Sequence, residues 1–294
     1  MNRPLVAVAF ALFSSVPLSA SPPETGWDAI DKVFGGTGKD LPGDVRRYSW
    51  PRTDLHVTVG EVPVEPALAL GSWAAFKKTG TGEEAVTMGD LVLLGSEVEP
   101  VLGELESGGF EIHAIHNHLI GETPRVIYVH FHDHGDAVIL AKTLKGALQK
   151  TATPPPGQAS AKPTAEQEKT FERLQEALGR KGAMAGVVLQ VSVARSDPIR
   201  DGGMEIPPSM GMNNPMNFQT VGNRIATTGD FVLVADEVNP VLRELQAHGI
   251  AVTALHSHML RENPRIFFMH FWGVDTPEKI GEGLKAALAR IATK

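Results

Sequence analysis

The 294-residue chain contains no cysteine. That absence excludes disulfides, a thiolate nucleophile, a cysteine-ligated metal and lipid attachment through cysteine. Any reactive site must therefore be assembled from histidine, aspartate, glutamate and hydroxyl side chains. Basic residues are also in the minority, 27 Lys and Arg against 34 Asp and Glu for a formal net charge of -7. No polybasic run occurs, so neither nucleic acid nor an anionic membrane surface is implied as a partner. Long apolar runs are missing as well. The longest N-terminal one, Leu5 to Phe13, falls short of the roughly 20 residues a membrane-spanning helix needs.

What that short run does fit is an export signal. Arg3 precedes it, and Leu18-Ser19-Ala20 follows before Ser21. A positive start, an apolar centre and a small-residue exit describe a secretory signal peptide over residues 1–20, cleaved near Ala20. The expectation is a periplasmic or secreted protein with no membrane span.

The chain is internally duplicated. Met88-Gly89-Asp90-Leu91-Val92-Leu93 returns as Thr228-Gly229-Asp230-Phe231-Val232-Leu233, and the register then holds without a gap. Glu97-Val98 and Pro100-Val101-Leu102 recur as Glu237-Val238 and Pro240-Val241-Leu242. His116-x-His118, Glu122, Pro124-Arg125 and His130-Phe131 recur as His256-x-His258, Glu262, Pro264-Arg265 and His270-Phe271. Val45 to Arg52 aligns more weakly with Val188 to Arg195, and Asp54 with Asp197. A first repeat over 24–150 and a second over 166–294 follow, forming an intramolecular pseudo-dimer. Residues 151–165 between them are rich in Pro, Ala, Gly and Thr and read as an exposed linker.

Each repeat has the same order of elements. Leu91 to Leu94 is a short buried strand, and Glu97 to Ser107 a helix ended by Gly108-Gly109. Phe110 to Leu119 and Val126 to His132 are strands joined through Gly121, Thr123 and Pro124. Ala137 to Gln149 is a second helix with an apolar stripe. The expected fold class is α+β, two homologous units, each a mixed or antiparallel sheet with helices packed on one face.

Side chains alternate across a strand. His116 and His118 therefore share a face with Ala114 and Ile112, and His130 and His132 share one on the partner strand. Ile115, Ile127, Val129 and Phe131 point the other way as core. If the two strands pair in phase, His116, His118, His130 and His132 converge, because cross-strand neighbours stand roughly 5 Å apart at Cβ. The second repeat keeps His256, His258 and His270 but has Trp272 in place of His132. Retention of three histidines and one glutamate in both copies points to a shared role. The difference at His132 predicts unequal sites, with the first half favoured.

Imidazoles beside a carboxylate suit a divalent transition metal, whether Zn, Fe, Mn, Ni or Cu. Such a centre can activate water or polarise a carbonyl. His116, His118, His130, His132, His256, His258 and His270 are the candidate ligands, and Glu122 and Glu262 the candidate catalytic carboxylates. His116-x-His118-x-x-x-Glu122 also fits the first metal motif of cupins, although helical stripes do not belong in an all-β barrel. The plainer reading is a set of hydrogen-bonded histidines lining a groove or the contact between the halves.

Other repeated residues have local explanations. Asp90 and Asp230 read as turn residues before a strand, and Glu97 and Glu237 suit the positive end of a helix. Arg125 and Arg265 either clamp an anion or pair with Glu122 and Glu262. Met210, Met212 and Met216 sit in a Gly- and Asn-rich stretch that reads as a mobile loop, where thioethers bind Cu(I) or pack. His113, His56 and His248 have no counterparts and read as structural.

At the Gly-Asp-strand, His-x-His and Pro-Arg-strand-His-Phe motifs the chain resembles the LppY/LpqO family of exported bacterial proteins. The resemblance spans most of the mature chain and implies export and duplication, with no reaction attached. The family's namesakes are lipoproteins, an anchor this cysteine-free chain lacks. Three functions remain open: a metal-dependent enzyme such as a hydrolase, a non-catalytic binding protein for a metal or small molecule, and a cell-envelope interaction module.

Overall fold

A computed structural model describes residues 27–80, 82–155 and 161–293. The expected signal peptide, and residues 156–160 of the linker, lie outside the described residues. Each repeat contains a six-stranded antiparallel sheet. In the first repeat the strands run, edge to edge, Lys39–Leu41, Val45–Pro51, Gly71–Lys78, Glu84–Leu94, Val126–Asp136 and Glu111–His116. The second repeats the order with Ala183–Ala185, Val188–Ala194, Asn213–Val221, Arg224–Val234, Ile266–Asp275 and Ala251–His256. The α+β class and the two homologous units are as expected from the sequence.

Helices cover one face of each sheet: Asp28–Phe34, Gly95–Ser107 and Ala137–Leu148 in the first repeat, Ala165–Leu178, Ala235–Ala247 and Pro277–Leu288 in the second. Their starts are set by side chains that satisfy otherwise orphaned backbone donors. Asp136 accepts from the N–H groups of Val138 and Ile139, and Thr164 from that of Gln167. Thr164 thus marks where the inter-repeat segment ends and the first helix of the second repeat begins.

Parity along the strands decides which residues meet which layer. Ala85, Leu91 and Leu93, with Val129 and Phe131, pack under the helices of the first repeat. Val86, Met88, Val92, Val126 and Tyr128 point away from those helices. There they join residues of the other repeat, such as Val232, Phe268 and Val188, in shared apolar clusters. Both faces of each sheet are therefore buried, one by helices and one by the opposing sheet, giving four layers in the order helix, sheet, sheet, helix. The histidine face is the inter-sheet face.

The strand expected over Leu91 to Leu94 is much longer. It starts at Glu84 and runs unbroken through Gly89-Asp90, so Asp90 is a mid-strand residue and not a turn residue. Gly89 is required there because a Cβ would stand 2.2 Å from the Trp73 carbonyl oxygen, and a Cβ at Gly229 would stand 2.0 Å from that of Pro215. The edge strand also departs from simple alternation. A bulge falls between Ile112 and Ala114, so Ile112 pairs with Phe131 while Ala114 pairs with His130. The extra residue flips parity. Ile112 consequently faces the core, whereas Ile115, expected in the core, is exposed.

The methionines resolve into packing. Met210, Met212 and Met216 are all buried, the first two in the cluster between the sheets and the third in the second repeat's own core. The copper-loop reading of this stretch therefore fails, since its thioethers are packed among hydrocarbon side chains.

Glu97 and Glu237 do more than favour a helix start. The Arg52 guanidinium is fully buried and donates to both Glu97 carboxylate oxygens, to Asp54 and to the Val92 carbonyl oxygen. Arg195 repeats this with Glu237, Asp197 and the Val232 carbonyl oxygen. Each network ties the strand before the sheet centre to the first turn of the helix that follows it.

Candidate metal centre between the repeats

Histidines from the two repeats meet. The ring centroids of His116 and His256 are 3.7 Å apart, those of His118 and His270 3.9 Å, and those of His130 and His258 3.7 Å. The pairing is pseudo-symmetric, each repeat contributing one His-x-His segment and one central-strand histidine. Within a repeat the same contacts recur: His116 stacks on His130 at 4.6 Å and His256 on His270 at 5.1 Å. His118 lies on Tyr128, and His258 on Phe268. The two copies thus build one composite centre where their inner faces meet.

The proton positions on these rings follow from their partners. His116 Nδ1 lies 3.1 Å from the Asn117 carbonyl oxygen and His256 Nδ1 2.9 Å from that of Ser257. His270 Nδ1 lies 2.5 Å from Asp230 Oδ1. A carbonyl oxygen only accepts, so His116 and His256 carry the proton on Nδ1 and present Nε2 lone pairs, while His270, between Asp230 and the His256 Nε2 it is hydrogen-bonded to, can carry its proton on either ring nitrogen. A ring nitrogen from each of the three lies within 4.8 Å of the others. His256 Nε2 and His270 Nε2 are 2.9 Å apart, and His116 completes the group, with its Nε2 buried and without a hydrogen-bond partner.

Two further sets of donor atoms lie within 4.8 Å of one another: His116, His118 and His130, and His118, Asp230 and His270. His130 is 3% exposed, and neither of its ring nitrogens has a hydrogen-bond partner. Buried polar atoms are nearly always paired. Several unpaired imidazole nitrogens gathered in this way could hold a metal ion.

Burial, and then mutual repulsion among the rings, disfavours their charged forms. His116 is pushed down to about 2, His258 to about 3 and His256 to about 4, while His118 and His130 fall well below the ordinary imidazole value. The rings are thus held in the neutral, ligating form at neutral pH. The two aspartates diverge. Burial, reinforced by Asp230, raises Asp90 well above the carboxylate range. Burial alone would raise Asp230 too, but the adjoining His270 outweighs it and lowers the group.

Asp90 and Asp230 are site residues that the local turn reading missed. Asp90 Oδ2 is 3.6 Å from His118 Nε2 of the His-x-His segment, whereas Asp230 meets His270 of the central strand, so the two copies use their aspartates differently. Their retention in both copies was the available signal. Both aspartates also line a cavity of about 1180 Å³ that opens beside the centre, with His118, Tyr128, Trp73 and Arg47 in its wall. The Arg47 guanidinium stacks over Trp73 at 4.1 Å.

The remaining expected site residues fall elsewhere. His132 does not converge with His116, His118 and His130. The bulge sets Glu111 opposite His132, and the His132 ring stacks on His113 at 5.1 Å. Glu262 is spent on its own turn, accepting from the Ile266 N–H at 3.1 Å and pairing with Arg265 at 3.3 Å. Glu122 is buried in a short strand paired to Thr58–Val59. Among the described residues, neither glutamate belongs to a histidine group close enough to share an ion.

A family profile described as "Domain of Unknown Function (DUF1259)" matches the chain twice, over residues 28–150 and 172–290. The chain belongs to this family. Two matched segments in one DUF1259 chain agree with the duplication and with the two sheets. No curated protein matches it. Among solved structures, a trimeric bacterial microcompartment shell protein, PduB, aligns over 86% of this chain and 88% of that one, at 12% identity and a TM-score of 0.19. Similarity at that level does not indicate a common fold.

Proposed function

We propose that this DUF1259 chain is an exported metalloprotein, akin to the LppY/LpqO proteins, whose inter-repeat histidine centre binds a divalent transition metal and supports hydrolysis of a small molecule held in the adjoining cavity. One observation carries the reading: His116, His256 and His270 each offer a ring nitrogen within 4.8 Å of the others, and the buried His116 Nε2 has no hydrogen-bond partner while its Nδ1 proton is committed to the Asn117 carbonyl oxygen. A buried imidazole lone pair without a partner is costly, and a cation among these rings would satisfy the one on His116. The donor set of imidazoles and one carboxylate suits Zn, Fe, Mn, Ni or Cu.

A bound metal would supply Lewis acidity and a water of lowered pKa. The protein supplies the rest. The Asn117 and Ser257 carbonyls fix ring orientation and tautomer, and the Asp230 carboxylate orients His270, as second-shell partners of metal-bound histidines do. The cavity wall places Asp90 beside His118, where it is the acid–base candidate by position, and Arg47 and Trp73 present a cationic, aromatic surface to a ligand. A second reading, metal storage or delivery, is favoured by the burial of His130, His258 and His270.

The test is elemental analysis of the mature chain purified without added metal, followed by reloading of chelator-stripped protein. Stoichiometric metal that is lost in His116→Ala and His256→Ala supports the centre. Absence of stoichiometric metal under both conditions refutes it. Turnover of ester, amide or phosphoester substrates by loaded protein separates hydrolysis from storage, and the N-terminus of protein recovered from an exporting host tests cleavage near Ala20.

A further inference from the structure

His132 and His113 were read from sequence as a cluster ligand and a structural residue. The structure places them together, outside the composite centre, and adds two carboxylates from opposite repeats. Glu111 and His132 are direct cross-strand partners, and His113 is the extra residue of the bulge. Glu111, His113 and His132 each offer a ligand atom within 4.8 Å of the others. Asp201 arrives from the second repeat, on the hairpin formed by Ile199–Asp201 and Met204–Ile206. Its Oδ2 stands 3.8 Å from His132 Nε2, and Glu111 Oε2 stands 3.5 Å from His113 Nε2.

The His113 Nε2 atom is buried and has no hydrogen-bond partner. His113 as a whole is 9% exposed, so this nitrogen forgoes solvent without forming a protein bond in return. Zinc bonds of about 2.0–2.2 Å to nitrogen and oxygen place tetrahedral donors roughly 3.3 Å apart. The Glu111–His113 and Asp201–His132 separations, 3.5 and 3.8 Å, exceed that spacing by a few tenths of an ångström, and Asp201, outside the three-residue group, would close on it to complete the set. Arg261 grips both Glu111 oxygens, at 2.6 and 2.9 Å, and holds the carboxylate beside His113.

Nothing comparable exists in the second repeat, where the equivalent positions are Ala251, Thr253 and Trp272. Thr253 instead donates its hydroxyl to the His118 carbonyl oxygen across the interface. The feature is thus particular to the first copy, and its one ligand from the second copy lies on a hairpin.

We propose that Glu111, His113, His132 and Asp201 form a second divalent-metal site, of the zinc type, that staples the 199–206 hairpin of the second repeat to the sheet edge of the first. Its role is to lock the two repeats together at the sheet edge, beside but outside the central histidine group. It does not depend on metal at the central histidines.

The test uses the full mature chain, stripped with chelator and titrated with Zn²⁺ alone, with zinc stoichiometry and hydrogen exchange of residues 199–206 as readouts. Zinc should slow exchange of the hairpin amides in wild type. His132→Trp copies the residue of the second repeat, and Asp201→Asn keeps the hairpin's shape. Each should remove one zinc equivalent per chain and abolish the zinc-dependent protection while far-UV circular dichroism stays unchanged. His116→Ala should leave hairpin protection intact, so a failure of the central centre is distinguishable from a failure here. Unchanged stoichiometry and unchanged zinc-dependent protection in both His132→Trp and Asp201→Asn overturn the proposal and leave a hydrogen-bonded histidine pair.

Discussion

Acidification of the metal-free protein is the most direct probe of the buried centre. In the unfolded chain His116, His256 and His258 return to the ordinary imidazole value of about 6.5. Folded, they lie at about 2, 4 and 3, first through burial and then through neighbouring imidazoles. Because the folded values are depressed, the unfolded state binds more protons below pH 6.5. Stability is thus fully present above that pH and is lost as pH falls toward the folded values. Lowering the pH from 7.5 to 5.5 favours the unfolded state by about 1.4 kcal/mol per group, or about 4 kcal/mol for these three. Domains of ordinary stability hold only about 5–15 kcal/mol, so the metal-free fold should fail between pH 5.5 and 4.5. Urea denaturation at a series of pH values measures this, with His256→Ala expected to reduce the slope by one proton. A change below about 1 kcal/mol between pH 7.5 and 5.5 would refute the claim that these rings are held neutral by the fold.

Two other perturbations test the scaffold. Glu97→Ala leaves the fully buried Arg52 without its principal counter-charge, and we expect a loss of about 3–5 kcal/mol in urea denaturation. A loss of about 1 kcal/mol would mean that Glu97 serves only as a helix cap. Gly229→Ala forces a Cβ into the Pro215 carbonyl oxygen of the neighbouring strand, directly beside Asp230. It should cost about 1–3 kcal/mol and weaken zinc binding through the displaced Asp230, and a melting temperature within about 2 °C of wild type would contradict that geometry.

Several features of the fold were legible because they depend on short-range pattern. Alternation in Val126 to His132 assigned Val129 and Phe131 to the core, and the apolar stripe after Ala137 assigned that helix to its sheet. The unbroken strand through Gly89-Asp90 was not legible, since Gly-Asp is also a turn signature. The difference lies in a backbone approach from Trp73 that no local pattern encodes. Ile112 was misplaced because the bulge at His113 adds one residue and reverses its face, whereas Ile115 keeps the face of its partner Val129 but is exposed on the edge strand, and His132 lies beyond His130 from the His116 end of the strand pair.

The sequence by itself determined that there are two copies and that each carries the same three histidines, because a gapless repeat makes retention visible within one chain. Only the tertiary structure decided that those histidines form one centre. Residues 140 positions apart become neighbours when two sheets bury their inner faces against each other, and that contact is driven by apolar residues such as Met88, Val232 and Phe268 surrounding the site. The same packing chose Asp90 and Asp230 over Glu122 and Glu262, since mid-strand residues on the inner face meet the opposing repeat, while Glu122 pairs into a small separate sheet and Glu262 is held in its own turn.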